Sequence, residues 1–131
     1  YNVQIGDNEN EFVPKTIEIG KNGEEQAAQF LKTLGYEVLA LNWRFKHLEV
    51  DIIAQDGKEL VIAEVKTRAT DFFGTPESFV DKAKQQKLIK AAHEYITSNN
   101  IELEVRFDIV SVITSTNKVH HIKNAFYVGL G

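Results

Sequence analysis

The stretch that decides the fold is residues 48–68, which read LEVDIIAQ, then DG, then KELVIAEVKTR. Two runs rich in β-branched residues flank the pair Asp56-Gly57, and this pattern is the strongest short-range signal for a β-hairpin. If Asp56 and Gly57 are the two central turn residues, counting back along both strands places Glu49 opposite Glu64. The sequence therefore predicts two antiparallel strands in this register.

Charged side chains gather on one face of the predicted hairpin, because side chains alternate between the two faces of a strand. At the end away from the turn this face carries Glu49, Asp51, Glu64 and Lys66, and the other face carries Leu48, Val50, Ile52, Ala54, Val61, Ala63 and Val65. Like charges directly across a strand pair cost up to about 1 kcal/mol. A hard divalent cation would relieve that repulsion. The alternative, solvated ends of an edge strand, conflicts with the apolar runs around them.

The composition is that of one globular domain. The chain has 131 residues, of which 43% are hydrophobic, enough to bury a core. It has no cysteine, which excludes disulfides and thiolate metal sites. No apolar run approaches the ~18 residues that span a membrane, and no signal peptide is visible, so we expect a cytoplasmic protein that does not contact a membrane.

The net charge of −4 lacks the basic footprint common among nucleic-acid-binding proteins. Residues 1–19 contain four acids and one lysine, a local charge of −3, so residues 20–131 carry only −1. This first segment contains Gly, Asn and Pro without clear periodicity, which predicts a mobile or loosely attached arm. Residues 20–131 are expected to form a single domain.

The first helix is predicted over 23–34. Asn22 and Glu25 form a capping box at its start, and Gly35 ends it. Glu24 lies on the edge of the apolar stripe and is expected to face inward. An acid in the first turn also stabilises a helix by about 0.3–1 kcal/mol, and spacing alone does not decide between these two roles.

The remaining elements follow from periodicity and turn residues. The predictions are a strand over 36–46, a turn at Lys46-His47, the hairpin, a helix over 82–98 capped by Asp81, a strand over 103–113, a short strand over 118–122 and a closing segment over 125–128. Phe72-Phe73 lies in a loop and either anchors the core or offers a base-stacking surface. Asp108 is expected to be a buried partner of Arg44 or Arg106.

Basic residues near the predicted hairpin and on the second helix are candidates for phosphate contacts. By default each is an ordinary solvated side chain. The candidates for nucleic-acid binding are Arg44, Lys46, Arg68, Lys82 and Lys84.

The motifs taken together resemble a known family. Asp51, twelve intervening residues and then Glu64-Val65-Lys66, after a helix with an inward Glu, is similar to the PD-(D/E)XK nuclease superfamily. Within it, residues 20–127 resemble the small YraN-like family. The motifs that carry the resemblance are GKNGE (20–24), GY (35–36), NWR (42–44), EVDIIA (49–54), EVKTR (64–68), FGTP (73–76) and RFD (106–108). One departure is Leu48, where the family often has Gly, and it bears on access to the site.

The resemblance implies an α/β fold of the restriction-endonuclease type, with a mixed sheet of about five strands that includes an antiparallel three-strand meander, flanked by helices. It implies that Asp51, Glu64 and the Val65 carbonyl hold Mg²⁺ or Mn²⁺, and that Lys66 orients or activates the attacking water. The acidic hairpin face adds Glu49 as a further candidate ligand. Glu24, Gln85 and Lys82 are expected to support the metal, the water or the phosphate.

We therefore expect a metal-dependent endonuclease acting on DNA, with branched DNA as one candidate substrate. The alternative is a nucleic-acid-binding or scaffolding protein that keeps the nuclease fold without turnover, since a fold does not establish an activity. The small size of the chain favours this alternative, or a homodimer that assembles a longer groove.

Overall fold

The computed structural model describes residues 23–69 and 80–126. They form helices α1 (Gly23–Thr33) and α2 (Lys82–Asn99) and strands β1 (Glu37–Phe45), β2 (Leu48–Asp56), β3 (Glu59–Arg68), β4 (Glu104–Ile113) and β5 (Lys118–Phe126). The predicted arm, the Asn22 cap, Phe72-Phe73 and residues 127–128 lie outside the described residues. No helix within the described ranges is long and apolar enough to cross a membrane.

The five strands form one mixed sheet in the order β1-β2-β3-β4-β5. Strands β1, β2 and β3 form an antiparallel meander, β3 and β4 are parallel, and β5 is antiparallel to β4. Helix α2 lies in the connection between β3 and β4, as a parallel pair requires a crossover. The predicted α/β fold, with a five-stranded mixed sheet and flanking helices, is confirmed.

Both faces of the sheet are covered, which explains why β3 is apolar without interruption from Leu60 to Ala63. Side chains of α1 pack against Ile52, Ala54, Val61 and Ala63. Side chains of α2 pack against Ile53, Leu60 and Ile62. Each fully buried side chain of this size contributes roughly 1.5–3 kcal/mol, so the hairpin is the centre of both cores.

The register of the hairpin differs from the prediction by two residues. Asp56 pairs with Glu59, and Ile53 pairs with Ile62, so Gly57 and Lys58 are the central turn residues. Gly57 has φ +61°, which two-residue hairpin turns need at their first central position. A shift of two residues keeps every side chain on its face. It does remove Glu49 from the position opposite Glu64, so that predicted pairing is wrong.

The alternation along β2 breaks at Asp51. Val50 packs in the core on the α2 side, whereas Ile52 packs in the core on the α1 side. The predicted shared face of Leu48 and Val50 with Ile52 and Ala54 is therefore wrong. The β2–β3 ladder starts only at Ile52, and on β1 Asn42 has φ +50°. Breaks of this kind re-aim side chains and are common beside active sites.

The predicted helices agree with the structure to within one residue at each end. Gly35, with φ +91°, ends α1, and Asp81 caps α2 by accepting a hydrogen bond from the Lys84 N–H at 2.8 Å. The predicted short fifth strand is wrong, because β5 continues to Phe126 through a bulge. Asn124, with φ +56°, donates its backbone N–H to Asp108 at 3.0 Å at this bulge.

A buried ion network ties the turn end of the hairpin to β4. Arg106 is 4% exposed and donates two hydrogen bonds to Asp108, at 2.9 and 3.0 Å. It also donates to Asp56 and Glu59, each at 2.8 Å. Burial alone would raise the pKa of Asp108, but hydrogen bonds from His121 and Arg106 lower it below its ordinary value. Of the two predicted partners of Asp108, Arg106 is the observed one.

Candidate active site

Three segments meet at the end of β3 that is remote from the hairpin turn. They are the first turn of α1, the break in β2 at Asp51 and the second half of β3. A methyl group added at Gly23 would collide with Oγ1 of Thr67, so the missing side chain lets α1 begin directly against β3. This close approach brings Glu24 to the edge of the sheet beside Asp51.

Asp51 links the two strands where their backbone ladder has ended. Its Oδ2 accepts a hydrogen bond from the Val65 N–H at 2.8 Å. The carboxylate therefore replaces the backbone carbonyl that would accept this N–H if the β2–β3 pairing continued. It is held beside Glu64, the residue before Val65 on the same strand.

Glu64 is the most deeply buried acid of this region, with 6% exposure. Its Oε2 lies 3.5 Å from Nζ of Lys66 and 3.7 Å from Nζ of Lys84, which comes from α2. Burial raises the pKa of Glu64, the charge of Asp51 raises it further, and the two lysines oppose both effects. A buried acid held between an acid and two lysines is a pattern typical of functional sites.

Glu24 completes the acidic side of the cluster. Burial and the charge of Asp51 raise the pKa of Glu24, while a hydrogen bond from Asn42 opposes the change. The predicted inward orientation of Glu24 is therefore what the structure shows.

The structure places two further residues in this cluster that the sequence did not assign to it. Asn42 reaches Glu24 from the irregular point of β1, and its place in the NWR motif is the signal that could have suggested it. Lys84 was expected on a phosphate-contacting helix face, but it contacts Glu64 directly. Only the packing of α2 on the sheet brings this lysine to the acid.

Other predicted site residues lie at the margins of the cluster. Glu49 is exposed and pairs with Arg44 at 3.5 Å, so both are on an outer edge. Gln85 donates a hydrogen bond to the Val80 carbonyl at 3.0 Å and so supports the start of α2. Lys82 is exposed on the first turn of α2.

The two remaining basic candidates are Lys46, between β1 and β2, and Arg68, at the end of β3. Nζ of Lys46 lies over the ring of Phe45, in the turn between β1 and β2. The carbonyl of Arg68, at the end of β3, accepts the backbone N–H of Thr114 at 2.8 Å.

The carboxylates fit a small metal site of two acids rather than three. Within residues 23–69 and 80–126, no three Asp, Glu or His side chains are arranged so that they could hold a metal ion. The predicted convergence of Glu49 with Asp51 and Glu64 is therefore wrong, and its cause is the shifted register. Asp51 and Glu64 remain adjacent, and Mg²⁺ is commonly bound by one or two carboxylates while it keeps several waters. Their donor chemistry suits that ion.

Comparison with known proteins supports the family resemblance. The model of the uncharacterised protein family UPF0102 matches residues 23–112, a range that contains Glu24, Asp51, Glu64, Lys66 and Lys84. The chain is 47% identical over 112 residues to a UPF0102 protein of Flavobacterium psychrophilum, covering 84% of this chain and 94% of the relative. It is 46% identical over 112 residues to one from Christiangramia forsetii, with 84% and 94% covered.

A third relative comes from Thermodesulfovibrio yellowstonii. It is 48% identical over 111 residues, which is 85% of this chain and 97% of the relative. The matches to the relatives span nearly the whole length of each relative. The family model covers both helices and strands β1 to β4 as far as Val112, and β5 lies beyond it. On this basis the chain belongs to the UPF0102 family, the YraN-like group of the PD-(D/E)XK nuclease fold.

Proposed function

We propose that this protein is a metal-dependent endonuclease that hydrolyses phosphodiester bonds in DNA, with branched DNA among its candidate substrates, and that it acts in the cytoplasm. The observation that carries the proposal is the position of Glu64. It is buried beside Asp51, and two lysines reach the same carboxylate oxygen. Burying acids next to each other costs free energy, and a function that uses them would explain why the cost is tolerated.

Asp51, Glu64 and the carbonyl of Val65 are the groups that would hold Mg²⁺ or Mn²⁺. When bound, such a cation polarises the phosphate and lowers the pKa of a water. The chain itself fixes the two carboxylates, because the Val65 N–H donates a hydrogen bond to Asp51 and the side chain of Glu64 is buried. Glu24 lies close enough to Asp51 for the charge of Asp51 to raise the pKa of Glu24.

Lys66 and Lys84 supply the positive charge of the site. Their side chains are 32% and 38% exposed, so solvent and substrate can reach them. Lys66 lies two residues after Glu64 on the same face of β3 and is the better placed to orient a water or to stabilise developing charge on the phosphate. Lys84 approaches from α2 and is suited to bind a phosphate oxygen.

The second candidate function is DNA binding or scaffolding without turnover. It is favoured by the pairing of Glu64 with both lysines, which partly neutralises the acid without a metal ion. A site that needs no metal for stability could have kept its geometry after losing its activity. The two functions differ in whether Lys66 matters for cleavage or only for binding.

The substitution Lys66→Ala separates these functions. We expect it to abolish cleavage of single-stranded, duplex, flap and four-way-junction DNA with Mg²⁺ or Mn²⁺, while DNA binding persists. The slope of log K against log salt should fall by about 0.9, the effect of one lost phosphate contact on duplex DNA. Lys87→Ala is the matched control, because Lys87 is an exposed lysine on the same face of α2 as Lys84. This variant should still cleave. If the parent binds all these substrates and cuts none, the binding function is the correct one.

A further inference from the structure

A cavity of about 460 Å³ lies between the turn joining β1 to β2 and the middle of α2. This volume is within the range of about 300–1,000 Å³ that is typical of ligand sites. The residues that line it are Phe45, Lys46, His47, Leu48, Ile89, Lys90, His93 and Glu94. Its walls are apolar, and its rim carries two lysines, two histidines and one acid.

Phe45, the aromatic residue of the cavity lining, is supported by two further aromatic rings. Phe45 stacks on Trp43 with ring centroids 6.3 Å apart and planes at 9°, and Tyr95 of α2 meets Trp43 edge to face at 5.6 Å. Leu48 and Ile89 complete the apolar surface. An apolar wall backed by stacked rings suits a flat ligand such as a nucleobase.

The turn that presents Lys46 is conformationally costly. Lys46 has φ +55°, and the other non-glycine residues with positive φ in the described ranges are all Asn. Asn tolerates this conformation, whereas for lysine it costs free energy. The turn places Nζ of Lys46 over the Phe45 ring, 5.5 Å from its centroid, at the mouth of the cavity. This position brings the charge of Lys46 to the mouth of the cavity, where it can meet a phosphate.

The cavity lies next to the candidate active site. Leu48 precedes Asp51 by three residues on β2, a distance of roughly 10 Å along a strand. Ile89 follows Lys84 by five residues on α2, roughly 7.5 Å along a helix. A nucleotide in the cavity would therefore belong to the same strand as the phosphate at Asp51 and Glu64, close to that phosphate.

We propose that this cavity binds one unpaired nucleotide of the DNA substrate, with the base against Phe45, Leu48 and Ile89 and the phosphate on Lys46 and Lys90. The site rests on the proposed function and extends it, because a base can enter only where the DNA is not paired. Glu94 is the one acid of the rim and would repel a phosphate. Its carboxylate instead accepts a hydrogen bond from an exocyclic amine, which selects cytosine, adenine or guanine over thymine.

The test is binding of a fluorescent duplex with a short single-stranded overhang, measured by anisotropy in EDTA so that no cleavage occurs. Each overhang position is replaced in turn by an abasic residue. We expect one position at which the loss of the base weakens binding by about 5- to 160-fold, the range found for base stacking on aromatic side chains. At that position cytosine should bind more tightly than thymine, and Glu94→Gln should remove this difference.

Two variants of α2 provide the matched comparison. Ile89→Glu adds an acid inside the cavity, and Gln86→Glu adds the same charge at an exposed position of the same helix. The abasic penalty should fall below twofold in Ile89→Glu and persist in Gln86→Glu. Because Glu94 is on the rim, Glu94→Gln tests base preference even if Ile89→Glu fails to fold.

Each outcome separates this site from the proposed nuclease activity. If DNA is bound and cut but no abasic position matters, the nucleotide site is wrong and the nuclease stands. If one abasic position matters but nothing is cut, the site stands and the nuclease is wrong. If Ile89→Glu instead turns a dimer into a monomer with no effect of abasic positions, a second copy of the chain occupies the cavity. If no DNA binds, both ideas fail.

Discussion

Glu64→Gln is the substitution that most directly tests the acidic site. It keeps the size and shape of the side chain and removes its charge. The parent carries this charge at 6% exposure, beside Asp51 and within 3.5 and 3.7 Å of two lysines. The question is whether the charge stabilises the fold or serves a ligand.

The expected change in the free energy of unfolding without metal is small. Loss of the charge relieves repulsion with Asp51, which across neighbouring strands is worth up to about 1 kcal/mol. It also removes two ion pairs with lysines that are about a third exposed, and such pairs contribute ~0–1 kcal/mol each. The two effects nearly cancel, so Glu64→Gln should unfold within about 1 kcal/mol of the parent.

The pH dependence gives the same substitution a second signature. Burial, and then the charge of Asp51, raise the pKa of Glu64 above its ordinary value of 4.5. The folded state therefore holds the proton more tightly than the unfolded state, and this acid costs stability as pH rises above 4.5. Glu64→Gln should remove that part of the decline between weakly acidic and neutral pH.

The response to metal should differ sharply between the two proteins. A ligand present at 100 times its Kd stabilises the folded state by about 2.7 kcal/mol. The assay is urea unfolding followed by circular dichroism, with and without millimolar Mn²⁺. The parent should gain stability and Glu64→Gln should gain none. A parent that ignores Mn²⁺ would refute the metal site. A variant that loses more than about 3 kcal/mol without metal would show that Glu64 is a structural partner instead.

Three further predictions concern single residues of the same structure. Asp51→Ala should abolish the response to Mn²⁺ and, by orphaning the Val65 N–H, cost about 1–3 kcal/mol in urea unfolding. A full Mn²⁺ response in this variant would contradict its role as a ligand. Arg106→Ala should cost about 3–5 kcal/mol, because it removes the guanidinium that donates two hydrogen bonds to the buried Asp108; a loss below 1 kcal/mol would show that the network is not a determinant of stability. The pKa of Asp108 is lowered from 3.8 by His121 and Arg106 against the effect of burial, so its contribution is present above pH 3.8 and is lost as pH falls further. In an acid-unfolding titration, Asp108→Asn should lack this loss of stability below pH 3.8. An acid-unfolding curve equal to that of the parent would contradict the prediction.

Much of the fold follows from local patterns. The hairpin, both helices and the fourth strand were predicted because β-branched alternation, caps and turn residues act over a few neighbouring positions. The fifth strand was predicted only over 118–122, whereas β5 extends to Phe126. The strand continues through a bulge held by Asp108, a contact sixteen residues away that no local pattern contains.

The candidate site divides in the same way. Asp51, Glu64 and Lys66 were identified from the hairpin and its motif, and Glu24 from the edge of a helical stripe. Glu49 was misplaced because a one-step error in choosing the turn residues shifts the whole ladder by two positions. The irregularity at Asp51 could not be predicted either, because the faces of β2 were assigned from a strict alternation of side chains.

The sequence by itself determined which elements form and which acids and lysines lie near the hairpin, because periodicity and turn chemistry are properties of adjacent residues. Only the tertiary structure decided how these elements meet. It set the register through Gly57, turned Asp51 toward the Val65 N–H, and brought Lys84 from α2 to Glu64. It also formed the cavity between the turn that joins β1 to β2 and helix α2. These features depend on contacts between residues far apart in the chain, whose geometry is fixed by packing both faces of one sheet.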